Sequence, residues 1–202
     1  MTSVDNDVAI SQALIDKHRY CNTEFYDWYD YIQEGFEDDM SQHGIAVEKI
    51  YFNVGYSQDD YAFFNGWVKN WRQLLEHIGY SSDALVLLAD QAWVYKWDDS
   101  GRYGRRMFES YMPAPDSADD LMFAYQYAPQ KWVDESQQLR LRSWLAVLSQ
   151  YDSDQIEIEI KEVIEGHCKD LYKRLSDEYE YLTSDEAVIE TIIANQWHLQ
   201  GE

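Results

Sequence analysis

Five carboxylates crowd one short stretch of this 202-residue chain: Asp27, Asp30, Glu34, Glu37 and Asp38. On a helix, side chains three and four residues apart sit roughly 5–6 Å from each other. That spacing is close to the phosphate spacing of a nucleic-acid strand, so such a row can imitate a backbone to a protein that reads phosphates. It makes and breaks no bonds; its chemistry is the binding of Lys and Arg. No Lys or Arg occurs between Arg19 and Lys49, so the row has no cationic partner in its own segment. The plainer reading is a solvated helix face, the commonest fate of a charge run.

Other residues suggest catalysis or metal binding less strongly. Glu159-Ile160-Lys161 fits the short E-x-K signature of metal-dependent nucleases, with Asp134 or Asp154 as an upstream acid. In that chemistry acids hold Mg²⁺ and the Lys helps position the attacking water. The match is only three residues long, and a chain this negative repels a nucleic-acid substrate. His18 and Cys21, with His167 and Cys168, make four potential zinc ligands. His167 and Cys168 are adjacent and lack the two-residue spacing of a zinc finger, and His43, His77 and His198 are scattered along the chain. The expectation is no metal and no cofactor, with the cysteines acting as small apolar residues. Trp93, Tyr95 and Trp97 alternate and would share one strand face. Base stacking needs a basic groove around such a platform, so core packing is the expectation. Arg102, Arg105 and Arg106 form the only basic cluster, read as a surface or intramolecular feature. No nucleophile elbow, phosphate-binding glycine loop or dinucleotide fingerprint is present. No carboxylate pair stands out for glycoside hydrolysis.

The acidic row must be carried by the clearest helical pattern in the chain. Phe25, Trp28, Tyr29, Ile32, Phe36 and Met40 recur at helical spacing and predict a helix over Thr23–Gln42, capped by Thr23 and stopped by Gly44. The carboxylates fall on its opposite face. A first helix is expected over Val8–Arg19, with Ala9, Ala13 and Leu14 on one side. Ile45–Tyr56 alternates as a strand, with Glu48, Ile50, Phe52 and Val54 on one face and Val47, Lys49, Tyr51 and Asn53 on the other. A second strand is expected over Tyr61–Val68, then a helix over Trp71–Ile78 closed by Gly79, and a short helix from Ser82 to Leu88. Gln91–Trp97 and Arg102–Tyr111 should form a hairpin across Asp98–Gly101. Pro113, Pro115 and Pro129 bracket a loop region. The C-terminal third reads as helices over Trp132–Leu148, from Asp154 with Glu157 to about Tyr181, and from Thr183 with Glu186 to about Gln196. The long helix carries a stripe of Ile160, Ile164, His167, Leu171, Leu175 and Tyr179. Ile156–Ile160 alternates like a strand, but the helical period continues past it. The class is α+β: a small antiparallel sheet of about four strands packed with several amphipathic helices. One domain is expected over 1–202, with 1–112 as helix plus sheet and 113–202 as a mainly helical part packed on it.

Charge then sets what the chain can meet. It has 38 Asp+Glu against 16 Lys+Arg, a formal net charge of -22, yet 8 Trp and 17 Tyr. Disordered acidic segments are poor in aromatics, so the charge must clothe a folded body. Such a surface repels nucleic acid and anionic membranes and attracts basic protein surfaces. Cys21 and Cys168 are the only cysteines, too few for a disulfide framework, so a reducing cytoplasm is the simpler reading. Met1–Ile10 is polar, without the apolar core of a signal peptide. No run approaches the ~20 apolar residues of a membrane span.

Two stretches carry a resemblance. Ile50-Tyr51-Phe52 through Ser57-Gln58, Asp60, Ala62, Phe64 and Gly66 resembles the motif IYFSGFWSQGDGASFEG. Tyr179–Val188, then Glu190, Ala194 and Asn195, resembles YEYLTSDEAVAEAIIAN. Both belong to an uncharacterised family of tailed-phage proteins. The resemblance spans roughly half the chain and implies phage origin and a place in the cytoplasm of an infected bacterium. It implies no activity. The motif's two glycines are Asp59 and Tyr61 here, so the Ser57–Tyr61 loop is read as a connection between strands. Charge and resemblance together point to an acidic accessory or anti-defence protein. It would bind and inhibit a host protein with a basic nucleic-acid-binding surface, by DNA mimicry, without touching nucleic acid itself. A small metal-dependent hydrolase or nuclease is the alternative. A third reading is that the charge serves solubility alone.

Overall fold

The computed structural model describes residues 10–24, 27–55, 60–92, 94–98, 107–111, 146–147 and 149–197. Its elements run α1 (Gln12–His18), α2 (Asp30–Gln42), β1 (Ile45–Asn53), β2 (Tyr61–Val68), α3 (Trp71–His77), α4 (Asp83–Ala92), β3 (Val94–Asp98), β4 (Met107–Tyr111), α5 (Ser153–Leu182) and α6 (Asp185–Ala194). The class is α+β, as the sequence pattern predicts. The four strands form one antiparallel sheet in the order β1-β2-β3-β4, a meander of sequence neighbours. The expected hairpin is present, pairing Val94 with Tyr111 and Asp98 with Met107. Arg102, Arg105, Arg106, the Trp132–Leu148 helix apart from residues 146–147, the Pro-bracketed loop and Trp93 lie outside the described residues.

α2 and α5 pack against β1 and β2 and against each other. The core between them takes Ile32, Phe36 and Met40 from α2, Phe64 from β2, and Ile156, Ile160, Ile164, Cys168, Leu171 and Leu175 from α5. These α5 residues repeat at three and four, which keeps one stripe of the helix dry over its length. Ile156–Ile160 is helical throughout. Its apparent alternation puts Ile158, 49% exposed, on the solvent side. The stripe position assigned to His167 is filled by Cys168 instead, and His167 turns toward α2 and α3. Trp97 lies buried edge-on against Phe64 and donates its indole N–H to the Phe64 carbonyl at 2.9 Å. Tyr95 is buried beside it. A separate small cluster joins Ile15 of α1 to Val188 and Ile192 of α6.

Several boundaries depart from the sequence expectation. α2 starts at Asp30, not Thr23, and its N-cap residue Tyr29 makes no side-chain cap. The Thr23 hydroxyl donates to the Tyr20 carbonyl at 3.1 Å, so it serves the preceding turn. α1 begins after Ser11, whose hydroxyl accepts from the Leu14 N–H at 3.4 Å; Ala13 is exposed and Ile15 is the buried residue. α4 continues to Ala92, so β3 begins at Val94. Asp152 caps α5, accepting from the N–H groups of Asp154 and Gln155, and Ser184 caps α6, accepting from Ala187 at 3.2 Å. In β1 a register shift between Val47 and Lys49 breaks the strict alternation. Val47 therefore joins Ile50 and Phe52 against the core, while Glu48 is exposed and meets Lys96 at 3.6 Å. A bulge of this kind flips the side-chain phase of one half of a strand.

Candidate functional site

α2 presents its carboxylates away from the core because its apolar residues repeat every four positions. Ile32, Phe36 and Met40 face the sheet, and Asp30, Glu34, Glu37 and Asp38 are exposed on the other side. Asp27 is exposed too, but it sits in the turn before α2, so it borders the helical row without sharing it. Elsewhere, an arginine close to an acid is paired with it. Arg19 meets Asp16 at 2.8 Å and Asp185 at 2.7 Å, Arg72 meets Asp83 at 2.8 Å, and Arg174 meets Asp39 at 2.8 Å and Asp170 at 2.7 Å. Asp27, Asp30, Glu34, Glu37 and Asp38 enter no ion pair among the described residues. Asp39 marks the boundary: it lies on the flank of α2 that meets α5, and Arg174 neutralises it there.

The two stretches that carry the resemblance meet in space. Gly55, within the first, adopts φ +92, and a Cβ there would run into the ring of Tyr179 from the second. Gly55 donates its N–H to Asp60 at 3.3 Å, which draws the ends of the β1–β2 connection together. Trp28 and Tyr29 pack edge-on to Phe52 beside this junction, and together with Tyr179 they line an open groove of about 1070 Å³. Its walls are an aromatic packing network that seats α2 and α5 on β1. Residues 56–59 of the connection lie outside the described residues.

α5 does not assemble the E-x-K arrangement. Two residues on a helix are roughly 200° apart around its axis, so Glu159 and Lys161 point different ways. Lys161 pairs with Glu157 at 2.7 Å, and Glu159 accepts from the Gln155 amide at 2.9 Å. The His18, Cys21, His167 and Cys168 quartet is likewise dispersed. His18 stacks on Trp197 at 4.5 Å, the Cys21 thiol donates to Asn22 at 3.6 Å, and Cys168 is in the main core.

Two of the histidines read as scattered, His43 and His77, meet His167 in space. His43 follows the last residue of α2, His77 ends α3, and His167 projects from the middle of α5. The rings of His43 and His77 stack at 4.0 Å, and His167 lies 5.1 Å from His43 and 6.0 Å from His77. One nitrogen from each ring falls within 4.8 Å of those of the other two. Gly44 makes this possible. With φ +76 it turns the chain sharply after His43, and its carbonyl accepts the N–H groups of Lys69 and Asn70 at 2.8 and 3.0 Å. Asn70 in turn caps α3, accepting from the Gln73 N–H at 3.2 Å. α3 is short, and its last residue reaches the imidazole of His43. Burial, followed by the neighbouring His43 and His77, holds the His167 imidazole down to about 4. The ring of His77, sheltered by stacking although the residue is exposed overall, is also held below its ordinary range, by burial and then by His43. Only the Gly44 stop hinted at this cluster in the sequence, because histidines separated by 34 and then 90 positions show no motif. Comparisons with protein-family models, with curated proteins and with solved structures return no match to this chain.

Proposed function

We propose that this chain is a non-enzymatic accessory protein of a tailed phage that acts in the cytoplasm of the infected cell. It docks its carboxylate face on the basic, nucleic-acid-binding surface of a host protein and blocks that surface by imitating a phosphate backbone. The observation that carries the reading is the exposed face of Asp30, Glu34, Glu37 and Asp38, bordered by Asp27 and without an ion pair among the described residues. Unpaired carboxylates keep their charge available to a partner, and a net charge of -22 steers basic surfaces toward them over long range.

The experiment is capture of host protein from lysate by the tagged chain at low and high salt, followed by competition with DNA. A captured protein that binds DNA, is released by salt and exchanges with DNA supports the reading. Changing Asp27, Asp30, Glu34, Glu37 and Asp38 together to Lys should abolish capture while leaving the circular dichroism spectrum unchanged. Undiminished affinity after all five reversals overturns it.

A further inference from the structure

We propose that His43, His77 and His167 form a binding site for a late first-row transition-metal ion, Zn²⁺ first among them, which ties the ends of α2 and α3 to the middle of α5. The site owes nothing to the carboxylate face and goes beyond the function proposed above. Three imidazoles from three elements converge with one nitrogen apiece inside 4.8 Å. Around a tetrahedral ion with Zn–N bonds of about 2.0–2.1 Å, such nitrogens lie roughly 3.3 Å apart, so the trio must close by at most about 1.5 Å. The rings are within 28° of parallel, and a common ion requires them to swing so that their in-plane lone pairs meet. His77 is exposed, at the end of a short helix, and has the freedom to swing; His167 is held by the long helix behind it.

Two further features fit a cation here. Nδ1 of His43 and Nε2 of His167 are buried without a hydrogen-bond partner among the described residues. A buried polar atom left so is unfavourable, and coordination would satisfy it. The charged neighbours of His167, Asp170 and Arg174, pair with each other at 2.7 Å, and Arg174 also holds Asp39, so none of the three rings enters an ion pair among the described residues. Neutral imidazole nitrogens select Zn²⁺, Ni²⁺, Cu²⁺ or Co²⁺ over Mg²⁺ and Ca²⁺, which demand oxygen. Three protein nitrogens leave a fourth position for water or an incoming donor, and the exposure of His77 places the cluster within reach of solvent.

The test is calorimetric titration of Zn²⁺ into the chelator-treated full chain with Mg²⁺ in excess to occupy surface carboxylates. Co²⁺ absorption serves as a readout of a four-coordinate nitrogen site. One Zn²⁺ should bind per chain, and His77→Ala should weaken it by roughly tenfold or more without loss of fold, because that residue is exposed. His18→Ala should bind as the parent does. Absence of binding, displacement by Mg²⁺, or unchanged affinity in His77→Ala each overturns the proposal. The five-carboxylate reversal variant should keep its Zn²⁺, so the two readings fail separately.

Discussion

At the scale of single residues, charge is governed by distance to the nearest opposite group, and two regions show the two outcomes. The α2 carboxylates Asp30, Glu34, Glu37 and Asp38 are exposed and enter no ion pair among the described residues, whereas burial holds His167 neutral. Around His167 stand His43 and His77 on one side and Asp170 and Arg174 of its own helix on the other, with Asp39 engaged by Arg174. Burial dominates and moves the imidazole from 6.5 down to about 4. Between those values the unfolded chain takes up a proton that the folded chain refuses. The contribution is therefore complete above 6.5 and is lost as pH falls through about 4; the full difference corresponds to ~3–4 kcal/mol, which solvent screening of this half-buried ring reduces to roughly 2–3 kcal/mol. In metal-free protein, the urea midpoint should fall more steeply from about pH 7 to about pH 4 in the parent than in His167→Gln. Parallel slopes would show that His167 is not the group responsible. The ring's role is hidden in the sequence because its position fits the apolar stripe of α5 nearly as well as Cys168 does.

At the scale of elements, most helices and all four strands are legible from period and caps, and the errors are local. Thr23 and Thr183 look like caps, yet each donates its hydroxyl to a carbonyl of a preceding turn, at 3.1 Å to Tyr20 and 2.8 Å to Tyr179. Ser/Thr side chains have both options, and only the local fold chooses between them. The β1 bulge is invisible for a similar reason, since Glu48 and Lys49 are both polar and either phase keeps them wet. Gly44 is where an element boundary becomes a tertiary device. Its φ of +76 disfavours any side chain, and a Cβ would also strike the Asn70 carbonyl, whereas Gly79 has φ +97 but open space around it. Gly44→Ala should therefore lose about 2–4 kcal/mol and Gly79→Ala about 1 kcal/mol in chemical denaturation. Equal losses would mean that the contact between the α2 end and the α3 cap adds nothing.

At the scale of the whole molecule, a net charge of -22 is a long-range force on both folding and association. Self-repulsion opposes the compact state, and salt screens it. Thermal unfolding should therefore shift to higher temperature as NaCl is raised, while binding to a basic partner should weaken over the same range. A melting temperature that does not move with salt would mean that the acids are already compensated by local pairing. Among the described residues no helix is long and apolar enough to cross a membrane.

Composition and periodicity by themselves determined the α+β class, the four antiparallel strands with their hairpin, the dry stripes of α2 and α5, and the outward set of the acidic row. These follow from where apolar side chains can be buried, which depends on spacing along the chain alone. The tertiary structure alone decided which acids are neutralised, where the strand changes phase, and that His43, His77 and His167 meet. Those outcomes depend on how a turn at Gly44 and a helix more than a hundred residues later share one volume of space, and local sequence carries no record of such distances.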